Sequence, residues 1–305
     1  MATTRTWVPQ GPYDLGRTLG VLARGPGDPA YRVAPDGAIW RVSRTPAGPG
    51  TLRLRARDGE VAGEAWGPGA EWLLDRLPVL LGAGDDPGAF APRHRLVADA
   101  WRRHPGLRLA RTGLVLESLI PSILEQKVTS DEAYRAWRLL VQRFGEPAPG
   151  PVELVPRGMR VMPEPRDWAL IPSWEWHRAG VDAKRSATVV RAARVAARLE
   201  EAAAMDDAAA SVRLQAVAGI GPWTAAETLQ RCNGAPDAVT VGDLHLPRVV
   251  GYALTGERGM DDEGMLRLLE PYEGQRYRAC RYVLLSGVRL PRRAPRFAPR
   301  DFAGI

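Results

Sequence analysis

Gly219, Ile220, Gly221 and Asp243 are the residues whose types and spacing point most directly to chemistry. Ala218-Gly219-Ile220-Gly221 lies between two helical patterns, "DAAASVRLQAV" and "PWTAAETLQRC". It is too short for anything but a tight turn, and its glycines allow positive φ and close approach of another backbone. Pro222 sits where a helix tolerates it best, at the first position. Free amides at that helix start, aided by the helix dipole, suit a phosphate oxygen, and Ile220 would pin the turn to the core. Asp243 follows 24 positions after Gly219, beyond an extended "APDAVTV" and a bend at Gly242. A phosphate gripped by the turn would therefore sit close to the acid. Each feature also has a plainer reading. The turn could be a simple corner between helices. The aspartate could be the N-cap of the helix in "LHLPRVVGYAL", worth about 1 kcal/mol.

The elements that must hold these residues are legible in part. At 305 residues and 45% hydrophobic content the chain is long enough for two or three packed units. "GAIWRVSRTP" and "GTLRLRARDGEVAGEAW" alternate apolar and polar residues between glycine and proline breaks, which predicts short antiparallel strands of a half-exposed sheet. "GAEWLLDRLPVLLG" reads as one helix stopped by Gly82. From about Arg108 helical patterns dominate. "VTSDEAYRAWRLLVQRFG" carries a capping box at Thr129 and Glu132 and ends at Gly145. The proline-rich segment from Glu146 to Trp168 predicts an irregular crossing between helical layers. Helix resumes in "GVDAKRSATVVRAARVAARLEEA" with Asp182 as N-cap, and the hairpin's first helix is expected after Asp207. Trp174 and Trp176 read as core, or with His177 as an exposed binding surface.

The net charge of +7 favours a polyanionic partner, although nearly all the basic residues are arginine and only Lys127 and Lys184 are lysines. Cys232 and Cys280 are too few for a four-cysteine iron-sulfur cluster or an all-thiolate zinc site and read as free thiols. No apolar run spans a bilayer, and the start of the chain has neither a basic nor a greasy export region, so a cytoplasmic location is expected.

Gly219-Ile220-Gly221 followed by Val241-Gly242-Asp243-Leu244-His245-Leu246-Pro247-Arg248-Val249 resembles the signature of the helix-hairpin-helix DNA glycosylase superfamily. The Asp-x-His-x-x-Arg-Val run is like that of the endonuclease III and 8-oxoguanine glycosylase relatives. The chain's organisation resembles the 3-methyladenine DNA glycosylase II branch, through "LIPSILEQKVTSDEA" and "AGVDAKRSATVVRAA". The likeness covers nearly the whole chain in outline and is specific over about residues 115 to 285. It implies an α+β fold: an N-terminal antiparallel sheet domain over residues 1–107, then two all-α subdomains over 108–290. The hairpin unit would span about 208–232 and the catalytic loop 235–247, with a basic tail at 291–305.

The resemblance also implies a chemistry. Such enzymes flip a damaged nucleotide out of double-stranded DNA and hydrolyse its N-glycosidic bond. Positive charge then builds on the sugar, and one carboxylate, here Asp243, can stabilise it and orient water. Bifunctional relatives carry a lysine two positions after the second glycine. Here that position is Trp223, and no lysine follows Lys184, so a hydrolase without lyase activity is implied. The base pocket would include Trp223, Glu227 and Tyr282. DNA contacts would come from Gly219, Ile220, Gly221, Thr224, Gln126, Lys127, His245 and Arg248. Two departures bear on substrate. Glu227 stands where alkylpurine relatives often carry an aromatic, and Lys127 stands where they insert an apolar wedge. Carbonyls of Gln215, Val217 and Ile220 match a monovalent-cation site in related hairpins, and no cofactor is required. The expected function is excision of alkylated purines by a monomer. A silent DNA-binding relative and a glycosylase for oxidised or deaminated purines are the alternatives.

Overall fold

The computed structural model describes residues 3–290, so the basic tail at 291–305 lies outside the described residues. The first layer is a five-stranded antiparallel sheet of order β1-β5-β4-β3-β2, formed by β1 (Thr3–Trp7), β2 (Tyr31–Val33), β3 (Ile39–Thr45), β4 (Gly48–Arg57) and β5 (Glu60–Trp66). The helix α1 (Leu15–Leu19) lies between the first two strands. β3, β4 and β5 are the predicted strands. The edge strands β1 and β2 escape the alternation argument because β1 is exposed nearly throughout and β2 has only three residues.

The predicted helix over 69–82 is two helices, α2 (Ala70–Asp75) and α3 (Leu77–Leu80). Pro78 has no N–H to offer the carbonyl of Leu74, four residues back. That carbonyl instead accepts Nη1 of Arg5 at 3.1 Å. Gly82 ends the segment with φ +82°.

The sheet is not half-exposed. β3 is buried along almost its whole length. Leu52, Leu54, Val61 and Ala65 pack under Leu73, Leu74 and Leu77 on one face. On the other, Trp40 stacks on Trp66 at 5.6 Å beneath Met159 and Val161. The proline-rich segment supplies that cover through the short pair β6 (Glu146–Pro147) and β7 (Arg160–Val161). It caps the sheet rather than crossing between helical layers.

The helical part follows as α4 (Arg95–Arg103), α5 (Val115–Leu124), α6 (Ser130–Phe144), α7 (Pro165–Leu170), α8 (Ser173–Arg178), α9 (Ala183–Arg194) and α10 (Ala196–Glu200). It continues as α11 (Asp207–Gln215), α12 (Pro222–Cys232), α13 (Leu246–Thr255), α14 (Asp262–Leu269) and α15 (Arg276–Leu285). α5 runs through the centre of the main core, buried along its length against α9 and α12. The stacked indoles of Trp137, Trp168 and Trp176 fill the outer part of that core. Trp174 departs from its expected companion and is 64% exposed, next to the exposed His177. A further core joins Val97, Ala100 and Leu107 to Val250, Met265, Leu269 and Tyr282. α4 therefore packs on α15, with the C-terminal helices.

Local signals set the helix ends. Thr129 and Glu132 form the reciprocal capping box of α6, and Asp182 accepts from Lys184 N and Arg185 N at the start of α9. The residue capping α11 is Asp206, one position before the expected Asp207. The helix read as continuous from Ala183 bends at Val195, and Glu200 beyond the bend accepts the amides of Val115 and Leu116, both at 2.9 Å, at the start of α5. Both cysteines are free and buried, and burial pushes the Cys280 thiol up to about 12 and the Cys232 thiol higher still. No helix among the described residues is long and apolar enough to cross a membrane.

Candidate active site and nucleic-acid interface

The turn between α11 and α12 is built to keep its carbonyls occupied. The carbonyl of Val217 accepts Ile220 N at 3.0 Å, that of Ala218 accepts Arg191 Nε at 2.8 Å, and that of Gly219 accepts Gln126 Nε2 at 3.0 Å. No side chain caps the start of α12. Acceptors are thus spoken for while the dipole's positive end is uncovered, which is the electrostatic requirement for an anion. Gly219 is required by its conformation and its surroundings: φ is +98°, and a Cβ would lie 2.2 Å from Thr188 Oγ1. Gly221 is extended, and a Cβ there would meet nothing within 4 Å, so its face is open. Ile220 is buried among Val189 and Leu214 and anchors the turn, as its type predicts.

Asp243 satisfies both of its readings at once. Its Oδ1 accepts His245 N at 2.7 Å and Leu246 N at 2.8 Å, covering the first amides of α13, whose cap position by backbone geometry is His245. Its Oδ2 accepts Nε1 of Trp223 at 2.9 Å. The carboxylate is half-buried. The loop carrying it is braced from three sides. Gln230 Nε2 holds the carbonyl of Ala238 at 2.7 Å, Arg276 pairs with Asp237, and Asp262 accepts Gly242 N at 3.0 Å.

Other residues named from sequence fall in different places. Gln126 bridges the loop after α5 to the hairpin, because its Nε2 also donates to Thr224 Oγ1 at 2.8 Å. Thr224 is buried, its Oγ1 accepting that bond. Lys127 is exposed and holds φ +56°, a left-handed conformation unusual for a side chain of this size. His245 and Arg248 are both exposed. Arg248 makes no ion pair with a described residue. Tyr282 is 1% exposed and packs against Phe90 at 5.2 Å, in the core shared by α4 and α15 and away from the hairpin.

Glu227 does not face solvent as a free charge. It pairs with Arg231 one turn along α12, Oε2 to Nη1 at 2.7 Å. Sequence reasoning passed over Arg231, although a four-residue spacing on a helix announces such a pair. It also missed Glu125, which pairs with Arg24 at 2.8 Å from 101 positions away, a separation no local pattern reveals.

As cation donors the hairpin offers only backbone. The carbonyl of Val217 already accepts one amide and keeps a second lone pair, and among the described residues no cluster of His, Cys, Asp and Glu could hold a metal. Gln215 ends α11 and Ile220 is the buried anchor, so the three carbonyls share one short turn.

No family model matches the chain, and no curated protein matches it by sequence. Solved structures do. MBOgg1 in complex with a low-affinity DNA ligand is similar at a TM-score of 0.73 and 15% identity, over 93% of this chain and 95% of that one. The 3-methyladenine DNA glycosylase from Archaeoglobus fulgidus gives 0.70 and 16%, over 92% and 98%. The 8-oxoguanine glycosylase/lyase from Clostridium acetobutylicum, bound to double-stranded DNA with cytosine opposite 8-oxoguanine, gives 0.69 and 12%, over 90% and 91%. The fold is therefore that of the helix-hairpin-helix DNA glycosylases, with the α+β arrangement the motifs implied.

Proposed function

We propose that this chain is a monofunctional DNA glycosylase that hydrolyses the N-glycosidic bond of a damaged purine in double-stranded DNA, acting as a monomer. The observation that carries the reading is the double tether of Asp243, to the α13 amides through one oxygen and to Trp223 on the hairpin helix through the other. The hairpin's uncapped helix start binds a phosphate of the damaged strand. The same helix then fixes the carboxylate relative to that phosphate. Lys127 fills the gap left in the stack with its aliphatic stem and reaches phosphate with its charge. As the glycosidic bond lengthens, Asp243 faces the positive charge growing on the sugar. Its Oδ2 accepts only one hydrogen bond from described residues, so it retains a lone pair to orient water.

The indole at position 223 is no nucleophilic amine, so the sugar is not captured as a Schiff base and the strand is left intact. Exposed Arg248 and His245 stand beside the acid as backbone contacts. A monovalent cation at the carbonyls of Gln215, Val217 and Ile220 would stiffen the turn, and no chemical step runs through it. A flipped purine, alkylated as the resemblance implies or otherwise damaged, would rest on the face of Trp223, the one aromatic named from sequence that reaches the catalytic loop. Incubation with duplexes carrying defined lesions, followed by hot alkali, tests the reading. Alkali-dependent breaks at one or more lesions support it, breaks without alkali reject the monofunctional assignment, and no base release leaves a DNA-binding protein.

A further inference from the structure

Beyond Trp223, the same face of α12 carries charge. Trp223, Glu227 and Arg231 recur every four residues and form one stripe along α12, starting at the residue that bonds Asp243. The bond from Gln126 to Thr224 holds the end of α5, with Glu125, against this helix. The chain between β1 and β2 supplies Arg24 and holds Arg231. Arg231 Nε donates to the carbonyl of Val21 at 2.9 Å, and the backbone amide of Arg24 donates to Asp28 at 2.7 Å. The glutamate side chains are each 15% exposed. Each gives one oxygen to its arginine. The other, Oε1 of Glu227 and Oε2 of Glu125, accepts nothing from a described residue and is not sealed inside the protein. Tyr134 borders both pairs, its ring against Gly25. Burial raises the pKa of its phenol, reinforced by both glutamates and opposed by both arginines, so it stays a protonated donor.

We infer that the Glu227–Arg231 and Glu125–Arg24 pairs select a purine carrying lactam N–H donors, of the oxidised or deaminated class, over an N-alkylated adenine that has no lactam group. This rests on the glycosylase reading above. The two open carboxylate oxygens accept N–H groups of the flipped base, and the tyrosine hydroxyl donates to its carbonyl. Each arginine offsets the charge of its carboxylate, so charge alone gives a cationic base little advantage and the match of N–H donors and carbonyl decides. Recognition by hydrogen bonds discriminates more sharply than apolar fit, because a base lacking the donors leaves buried acceptors unpaired.

The test is single-turnover excision from duplexes carrying 8-oxoguanine, hypoxanthine or 3-methyladenine, with wild type and Glu227→Gln. Wild type is expected to release at least one lactam lesion about tenfold faster than 3-methyladenine, against the order of intrinsic leaving ability, as recognition by hydrogen bonds requires. Glu227→Gln is expected to slow that release about 100-fold, the loss of one charge-assisted hydrogen bond. Its binding to a duplex with an uncleavable abasic analogue should be unchanged, which controls for folding. Faster release of 3-methyladenine overturns the inference and leaves the glycosylase reading standing. Unaltered release of the lactam lesion by Glu227→Gln also overturns it. Release of no lesion by wild type overturns the reading beneath it.

Discussion

Trp223 and Asp243 are joined by a 2.9 Å hydrogen bond from the indole Nε1 to the carboxylate Oδ2, across 20 positions of sequence. The bond ties the first turn of the helix proposed to present its amides to a phosphate to the loop that carries the acid. An acid held only as a cap would need no such partner. An acid held only by the indole could swing with the loop. Held at both oxygens, it has one orientation, and side-chain freedom need not be lost when substrate binds.

Asp243→Asn is expected to lower excision by about 100- to 1000-fold, the range for removing one preorganised electrostatic stabiliser. Asn caps helices as well as Asp, so its oxygen continues to serve the amides of His245 and Leu246. Its amide nitrogen then faces the indole N–H, donor against donor, at about 1 kcal/mol of stability. Thermal unfolding and alkali-revealed strand breaks, measured on the same preparation, separate the two effects. DNA affinity that collapses along with activity would contradict the assignment.

Trp223→Phe keeps an aromatic face and loses only the donor. It should reduce the turnover rate about tenfold with little change in DNA affinity, because the bond orients the acid and touches no phosphate. Combined with Asp243→Asn it removes the opposed donors, so the stability losses should be less than additive. Strict additivity in a double-mutant cycle would show that the two side chains do not meet in solution.

Features written in neighbouring residues were legible. The capping box at Thr129 and Glu132, the Asp182 cap, the hairpin and the anchoring role of Ile220 depend on spacings of a few residues, where chain geometry leaves few alternatives. What depends on distant segments was not. Burial of the second face of β3 comes from Met159 and Val161, more than a hundred positions on, and the Arg24–Glu125 pair likewise joins separate layers. Tyr282 was drawn toward the base pocket by its type and its late helix, yet buried tyrosines serve cores as readily as sites. The break before Pro78 was legible and was outweighed by the apolar run around it.

The two hairpin glycines should differ. Gly219→Ala must hold φ +98° and displace Thr188, which together should remove about 2–4 kcal/mol of stability. Gly221→Ala meets open space in an extended conformation and should change stability by under about 0.5 kcal/mol. Its methyl group nevertheless occupies the face a strand would approach. Weakened binding to damaged and undamaged duplexes alike, without a shift in Tm, is the expected result for Gly221→Ala. Loss confined to particular sequences would contradict backbone gripping.

Lys127, the residue proposed to fill the gap, holds a strained backbone. In most exposed positions a change to Gly loosens the unfolded chain and destabilises by roughly 0.4–1 kcal/mol. Here glycine also releases a φ of +56°, a left-handed conformation unfavourable by about 1–2 kcal/mol for a residue with a Cβ. Lys127→Gly should therefore leave Tm unchanged or slightly raised while slowing excision, since nothing then fills the stack. Lys127→Leu keeps the strain and restores apolar bulk, so excision should recover while Tm stays at the wild-type value. The deficit of Lys127→Gly should shrink when the lesion sits opposite a mismatched base, because a weakly paired nucleotide leaves the stack at lower cost. A deficit of equal size opposite every base would place Lys127 on the phosphates instead of in the gap.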